Sequence, residues 1–224
     1  MLIHGGCHGA WCWERVLAHL PAVAINLPGH GRNVARAGLA DGIAAVCDAI
    51  EAIGEPVVLV GHSLGGMTIS GVAEAIPERI SRLIYLSALL PFDGESAATI
   101  PMPTLGAVAA ATISPDGHWT GLDSVLAPPI FYQDCDRVTV DAALSRIGRT
   151  DLDYVITPVH LSGDRFGSVP KTYIHCLQDR AIQREAQAAM TSRYPGTGVA
   201  MLDSGHSPFL SMPECLVAML LTLA

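Results

Sequence analysis

The chain has 224 residues, half of them apolar (50%), which is enough for one globular domain with a hydrophobic core. Its formal net charge is −8 and Lys171 is its sole lysine, so no basic face is expected for a nucleic acid or an anionic membrane surface. The longest apolar runs fall short of the ~18–20 residues of a membrane helix, and the first residues carry no export signal. We therefore expect neither nucleic acid nor membrane as a partner, and a cytoplasmic location.

Short apolar runs rich in β-branched residues alternate with segments of helical spacing in the first half of the chain. Strands are predicted at residues 2–3, 22–27, 57–60 and 83–86. Before the third of these runs, apolar residues step by 4, 3, 4 and 3 positions from Leu39 to Ile53, as on one face of a helix. This alternation predicts parallel crossovers and an α/β sheet with helices on both faces.

The same alternation stops after Leu90 and resumes near Lys171. Strands are predicted there at residues 172–177 and 199–202, and helices at residues 181–190 and 213–223. Together with the first half, these elements predict a mostly parallel central sheet of about six strands.

The interrupting segment is uncharged where it begins. No charged residue lies between Ser96 and Pro115, while Pro101, Pro103 and Gly106 prevent a single long helix. We expect such an apolar, broken segment to cover something. The predicted organisation is a core of residues 1–92 and 169–224 with a cap inserted at residues 93–168, the kind of segment that sets substrate size.

The strongest motif is Gly61-His-Ser63-Leu-Gly65, which lies between a predicted strand and a helical pattern. A serine on such a sharp turn has a strained backbone, and its hydroxyl points out over the carboxyl edge of the sheet. Gly61 and Gly65 supply the room that the turn needs. Because a serine hydroxyl is a weak nucleophile, it requires a histidine base and a carboxylate that orients that base.

Among the nine histidines, His206 is the candidate base because it follows the last predicted strand. Asp179, at the end of the preceding predicted strand, is the favoured acid, and Asp93 is the alternative. The negative charge that develops on a substrate oxygen needs two backbone N–H donors. We assign these to Leu64, directly after the nucleophile, and to Gly6 in the glycine-rich turn after the first strand.

Candidate substrate-binding residues are Gly5, which lets the backbone approach an ester closely, His62 beside the nucleophile, and Trp119 in the cap. No cofactor is expected, since no glycine-rich turn has the G-x-G-x-x-G pattern that opens a helix. No metal is expected either, because the histidines and cysteines of residues 4–12 lack a spaced second pair. The six cysteines are interpreted as reduced thiols.

Four blocks of sequence resemble the plant-type methylesterases and hydroxynitrile lyases of the α/β-hydrolase superfamily. They are His4-Gly-Gly-Cys-His-Gly-Ala-Trp-Cys-Trp13, Val60-Gly-His-Ser-Leu-Gly-Gly-Met67, Tyr173-Ile-His-Cys-Leu-Gln-Asp-Arg-Ala-Ile182 and Gly205-His-Ser-Pro-Phe-Leu210. The resemblance spans nearly the whole chain but is weak in the cap. It implies an α/β-hydrolase fold, a triad of Ser63, Asp179 and His206, and the oxyanion donors Gly6 and Leu64.

Two departures from this resemblance favour hydrolysis over the lyase reaction. The lyases carry a lysine just after the catalytic histidine and a threonine in the first oxyanion loop, where this chain has Ser207 and Gly5. Without that cation a leaving cyanide is not stabilised.

The resulting hypothesis is a serine carboxylesterase that acts on small esters with an apolar part through an acyl-enzyme, without a cofactor. Two alternatives remain: a receptor-like binding protein with little turnover, and another activity of the fold, such as thioester or lactone hydrolysis or a lyase reaction. The expected partner is a small-molecule ester. The sequence leaves a homodimer open.

Overall fold

The computed structural model describes residues 1–32, 34–101 and 106–224, so Pro103 lies outside the described residues. The strands, in chain order, are β1 (Leu2–Ile3), β2 (His30–Gly31), β3 (Val57–His62), β4 (Ile80–Leu86), β5 (Ala111–Ile113), β6 (Trp119–Leu122), β7 (Arg149–Asp151), β8 (Lys171–Cys176) and β9 (Gly198–Leu202). The helices are α1 (Glu14–Leu17), α2 (Leu39–Ile53), α3 (Gly65–Ala75), α4 (Gly106–Ala110), α5 (Ala127–Phe131), α6 (Arg137–Arg146), α7 (Asp153–Ile156), α8 (Arg184–Ser192), α9 (Pro208–Ser211) and α10 (Pro213–Leu223).

The central sheet has five strands in the order β1-β3-β4-β8-β9, and every neighbouring pair is parallel. The strand predicted at residues 22–27 is reduced to one parallel bridge between Leu2 and Ala24. The physical reason is the length of β1, because a two-residue strand offers a neighbour almost no ladder of hydrogen bonds. The prediction of about six strands therefore corresponds to a five-stranded sheet with this bridge at its edge.

Apolar side chains form two clusters, one on each face of the central sheet. Neighbouring residues of β3 divide between them, since Leu59 belongs to one cluster and Val60 to the other. Helix α3 contributes Ile69 to the first cluster, and α10 contributes Leu216 to the second. A parallel sheet covered in this way is buried on both faces, which explains why β3 is a continuous apolar run.

Residues 93–168 contain α4 to α7 and most of a second sheet. This sheet is antiparallel, with the order β2-β7-β6-β5. Its strand β2 comes from residues 30 and 31, inside the predicted core, and pairs His30 with Thr150. The second sheet thus joins the inserted segment to the core. Among the described residues, no helix is long and apolar enough to cross a bilayer.

Candidate active site

The turn from β3 into α3 has the strained geometry that the sequence motif predicts. Ser63 has a φ of 52°, in the left-handed region that side-chain-bearing residues rarely adopt. Its carbonyl accepts hydrogen bonds from Gly66 N (3.1 Å) and Leu89 N (3.0 Å). A Cβ atom at Gly65 would lie only 2.6 Å from His4 O, so no side chain fits there. The glycine therefore lets the turn approach the loop that follows β1.

His206 lies in the loop between β9 and α9, and His62 anchors its backbone. The His62 Nε2 atom lies 2.8 Å from His206 O, and the two ring centroids are 4.5 Å apart. Because a carbonyl only accepts, Nε2 of His62 carries the proton and donates. Burial, followed by the neighbouring His206, lowers the pKa of His62 well below its usual value, which keeps this ring neutral. Ser63 and His206 both belong to the described residues, and no direct hydrogen bond joins the Ser63 hydroxyl to the His206 ring.

Asp179 is buried and directed at His206. Its Oδ2 atom lies 2.6 Å from His206 Nδ1 and also accepts a short hydrogen bond from the Ser87 hydroxyl. Its Oδ1 atom accepts from the backbone N–H groups of Ala181 (2.7 Å) and Ile182 (2.9 Å). Since the carboxylate only accepts, Nδ1 of His206 is protonated, which leaves Nε2 of the neutral ring unprotonated and able to act as a base.

The alternative acid has other partners. Asp93 is exposed, accepts a hydrogen bond from Leu161 N (2.9 Å) and lies 3.5 Å from the exposed His160 ring. Asp203 accepts a hydrogen bond from Gln178 Nε2 (3.0 Å). Of these acidic residues, the structure brings Asp179 to His206.

The glycine-rich loop after β1 lies against Ser63. A Cβ atom at Gly5 would lie 2.8 Å from Ser63 Cβ, and one at Gly6 would lie 3.3 Å from Leu64 Cδ2. Neither Gly6 N–H nor Leu64 N–H donates a hydrogen bond within the described parts of the chain. Two backbone donors beside a nucleophile, not used by the fold, are what an oxyanion hole requires.

His4 sets the direction in which Gly6 N–H points. Its Nε2 atom accepts a hydrogen bond from Leu27 N (3.1 Å), so in a neutral ring Nδ1 carries the proton and donates to Gly5 O (2.8 Å). Gly5 C=O and Gly6 N–H belong to the same peptide. This peptide is trans, so Gly6 N–H points away from the Gly5 carbonyl oxygen. Burial lowers the pKa of His4 well below its usual value, which preserves this neutral tautomer.

The three candidate substrate-binding residues have different surroundings. Gly5 borders Ser63, as described above, whereas His62 is fully buried and its ring holds the loop of His206. Trp119 pairs with Asp151, on the face of β6 opposite to Thr120. Its ring lies 3.7 Å from the Arg149 guanidinium. The structure therefore does not bring Trp119 to the nucleophile, because a strand turns successive side chains to opposite faces.

Cys7 is the thiol of the loop that carries Gly6. Burial raises the pKa of Cys7 to about 11, so the thiol stays protonated at neutral pH and is a poor nucleophile. All six cysteines are free. Within residues 1–32, 34–101 and 106–224, no group of three or more histidine, cysteine or acidic side chains is placed to hold a metal ion.

Sequence reasoning missed two residues that position Asp179 and the turn after it. Ser87 directly follows β4, has a φ of 37° and donates its hydroxyl to Asp179. Gln187, from α8, is fully buried and bonds both the N–H and the C=O of Cys176 (3.0 Å each), as well as Ile182 O (2.7 Å). The sequence gives no signal for either role. Ser87 is a serine after a strand and Gln187 is a glutamine inside a helix, and the partners of both lie in other elements.

The fold and this arrangement of a strained serine, a buried histidine and an aspartate define a hydrolase of the α/β class. The chain matches the family described as "Alpha/beta hydrolase family" over residues 1–219. It belongs to that family.

Individual relatives agree with this assignment. "Putative methylesterase 11, chloroplastic" of Arabidopsis thaliana is 32% identical over the whole of this chain, which spans 63% of that protein's length. "Methylesterase 1" of the same plant is 29% identical over 96% of this chain and 91% of its own length. Among solved structures, a novel pyrethroid hydrolase from Sphingobium faniae JZ-2 superposes with a TM-score of 0.89 at 26% identity, covering 99% of this chain and 95% of its own.

Proposed function

We propose that this chain is a cofactor-independent carboxylesterase that cleaves small esters with an apolar part through an acyl-enzyme. Its triad is Ser63, His206 and Asp179, and its oxyanion donors are the N–H groups of Gly6 and Leu64. The observation that carries the proposal is the buried hydrogen bond of 2.6 Å between His206 Nδ1 and Asp179, next to a serine in a strained turn. That bond selects the tautomer that a general base needs.

In the first half-reaction the Ser63 hydroxyl attacks the ester carbonyl carbon while His206 Nε2 takes the serine proton. The former carbonyl oxygen becomes negatively charged and is stabilised by Gly6 N–H and Leu64 N–H. The bond to the leaving alcohol then breaks, and His206 returns the proton to that alcohol. Water repeats the sequence on the acyl-enzyme, which releases the acid and restores Ser63.

The relatives support an ester as the small-molecule substrate, since two are named methylesterases and a structural neighbour is named a pyrethroid hydrolase. A lyase reaction that releases cyanide is disfavoured by the residue after His206. Ser207 is fully buried and carries no charge, so it cannot stabilise an anionic leaving group. A cytoplasmic location stays a prediction from the sequence.

We assign the role of a cap to residues 93–168. Phe131, from α5 in this segment, lies edge-on to the His206 ring with 5.3 Å between centroids. Tyr132 follows it, and its hydroxyl lies 2.7 Å from His8 Nε2. Aromatic side chains from this segment therefore contact both the base and the loop of Gly6. They replace Trp119 as the candidates for shaping the apolar part of the substrate site, together with Gly5 as the point of closest backbone approach.

The decisive experiment is hydrolysis of p-nitrophenyl acetate by the purified chain and by Ser63→Ala. We expect kcat/KM to fall by about 10³-fold or more, because the variant cannot form an acyl-enzyme. Ser145→Ala, an exposed serine on α6, is the matched control and should keep full activity. Circular dichroism shows whether the fold is intact. Residual turnover of Ser63→Ala close to that of the parent chain would remove Ser63 from the mechanism, and ligand binding with no Ser63-dependent turnover across an ester panel would favour the receptor-like alternative.

A further inference from the structure

Cys7, the residue after Gly6, has a left-handed backbone. Its φ is 62°, a conformation in which the Cβ of an L-residue crowds the following carbonyl. Such a conformation persists when the surroundings fix it. The contacts of Cys7 therefore show what holds the loop that carries the proposed oxyanion donor.

These contacts come from the assigned cap. Cys7 N–H donates to Thr150 Oγ1 (2.6 Å), and Cys7 O accepts from Gly148 N–H (2.9 Å). The thiol lies 3.7 Å from Thr120 O. Both polar groups of the strained backbone unit are thus held by residues that lie more than a hundred positions further along the chain and belong to β7 or directly precede it.

Thr150 has a rigid position. It is fully buried in the middle of β7, paired with His30 of β2 on one side and with Thr120 of β6 on the other. Its Oγ1 atom would lie 3.7 Å from a Cβ atom at Gly6, so its hydroxyl is close to the oxyanion donor as well as to Cys7. A displacement of this hydroxyl would move the whole turn.

The opposite side of the same peptide is also fixed. Because the Gly6–Cys7 peptide is trans, Gly6 O points away from Cys7 N–H, and it accepts from His8 Nδ1 (2.8 Å). His8 Nε2 then accepts from the Tyr132 hydroxyl (2.7 Å). Burial lowers the pKa of His8 to about 4, so this ring stays neutral. The peptide between Gly6 and Cys7 is therefore held at one end by Thr150 of the cap and at the other by His8, whose ring is in turn bonded to Tyr132 of the cap.

We propose that Thr150 is a positioning residue for catalysis: by accepting Cys7 N–H, its hydroxyl holds the oxyanion loop in the strained turn that directs Gly6 N–H at the substrate. This inference rests on the proposed function. It makes the cap part of the catalytic apparatus, because the loop takes its active shape only while β7 is docked on it. Thr150 acts through Gly6 and does not contact the substrate itself.

The test is Thr150→Val, which keeps the side-chain shape and removes the acceptor. We expect kcat for p-nitrophenyl acetate to fall about 10- to 100-fold with KM within about threefold, since the loss is confined to the charged transition state. Thr120→Val is the matched control, because Thr120 pairs with Thr150 across the sheet and its hydrogen bond with Cys7 uses its backbone oxygen, which the substitution keeps. It should leave kcat unchanged. A kcat of Thr150→Val equal to the parent value, or an equal loss in both variants, would overturn the proposal.

A second pair of variants keeps the test decisive if valine impairs folding. Thr150→Ser and Thr150→Ala differ by one oxygen atom, and we expect the serine variant to keep kcat within about threefold and the alanine variant to lose it. In the Thr150→Val background, Cys7→Gly should recover part of the lost kcat, because glycine adopts a positive φ without strain. Equal kcat values for serine and alanine would contradict the proposal, and so would the absence of any recovery by glycine.

A covalent readout separates this proposal from the proposed function. With a p-nitrophenyl phosphonate, Ser63 Oγ forms a bond to phosphorus, p-nitrophenolate leaves, and His206 accepts the serine proton. The phosphonyl oxygen, which the reagent already carries, gains negative charge in the transition state at the oxyanion position, so the rate of p-nitrophenolate release should fall in Thr150→Val as kcat does. If the parent chain reacts at Ser63 but no ester is turned over, the esterase proposal fails while the Thr150 comparison still stands. If the two threonine variants react equally fast, the Thr150 proposal fails and the esterase proposal stands.

Discussion

The two halves of the candidate site are held in different ways. On the acid–base side, Asp179 is fixed by the N–H groups of Ala181 and Ile182, two and three residues further along the chain, and by Ser87 at the end of the neighbouring strand β4. On the oxyanion side, the loop of Gly6 is fixed by Thr150, 143 residues away from Cys7 and outside the core sheet. The hydrogen bonds that fix the Asp179 carboxylate thus come from the core itself, whereas the loop of Gly6 depends on the inserted segment.

This difference separates two kinds of control over the reaction. Substitutions at the partners of Asp179 should disturb proton transfer and leave the bond between Thr150 and Cys7 in place, because all hydrogen-bond partners of Asp179 belong to loops at the carboxyl edge of β4, β8 and β9. Substitutions at Thr150 of β7 should act on charge stabilisation. In this chain, a change of the cap that moves Thr150 should therefore also change the geometry of the loop of Gly6.

The largest effect is expected for Asp179→Asn. Oδ1 of Asp179 accepts two backbone N–H groups, so the asparagine oxygen should occupy that position and its NH₂ group should face His206 Nδ1. The histidine then adopts the other tautomer, with the proton on Nε2, and cannot take the proton of Ser63. We expect kcat to fall by about 10³- to 10⁴-fold with the fold intact, measured by steady-state ester hydrolysis.

Asp93→Asn is the control for this variant, since Asp93 is exposed and bonded to Leu161 N and the neighbouring His160. It should keep kcat within about twofold. A larger loss of activity in Asp93→Asn than in Asp179→Asn would transfer the role of the acid to the residue that the sequence left as the alternative.

The oxyanion side should make the chain sensitive to acid. Burial lowers the pKa of His8 and of His30 to about 4 in the folded chain, against about 6.5 for an exposed imidazole. Between these two values the unfolded chain binds protons that the folded chain does not, so the free energy of unfolding falls as the pH is lowered from about 6.5 to about 4. Each ring contributes about 2–3 kcal/mol across that window, and denaturant unfolding at pH 7.5, 6 and 5 measures the loss.

The control for the pH dependence compares a buried with an exposed ring. His30→Asn should lower stability at pH 7.5, because it removes the packing of His30 against Tyr154 at 4.3 Å between ring centroids. It should also flatten the dependence on pH. His19→Asn replaces an exposed histidine and should change neither quantity. The interpretation fails if the free energy of unfolding of the parent chain is the same at pH 7.5 and pH 5.

Local patterns predicted the parts of the molecule that local physics decides. The helices at residues 39–53 and 213–223 have the bounds that apolar spacing indicated, and the turn at Ser63 follows from the small residues that flank it. The prediction of a strand at residues 22–27 was wrong, because a strand also needs a neighbouring strand long enough to form a ladder of hydrogen bonds, and β1 has two residues.

The remaining misses concern contacts between distant segments. Trp119 was assigned to substrate binding from its place in the cap. The face of β6 that it occupies depends on the pairing of β6 with β7. These strands have four and three residues, and no local pattern in such short strands reveals their register. The roles of Ser87 and Thr150 likewise depend on partners 92 and 143 residues away. A hydroxyl that supports a carboxylate and one that caps a surface turn look the same in a sequence.

The smallest effect should come from Ser87, the residue of the acid–base side whose backbone is also strained. Ser87→Ala removes one hydrogen bond to Asp179 while the bonds from His206, Ala181 and Ile182 remain, so we expect kcat to fall only about 3- to 10-fold. Ser87→Gly loses the same hydroxyl but adopts the φ of 37° without crowding, and should be more stable than the alanine variant by about 1 kcal/mol. Measurements of kcat and of unfolding curves for both variants separate the two contributions. A loss of kcat shared by both variants belongs to the hydroxyl. A loss seen in Ser87→Ala alone would mean that the strained backbone, and not the hydrogen bond, sets the position of Asp179.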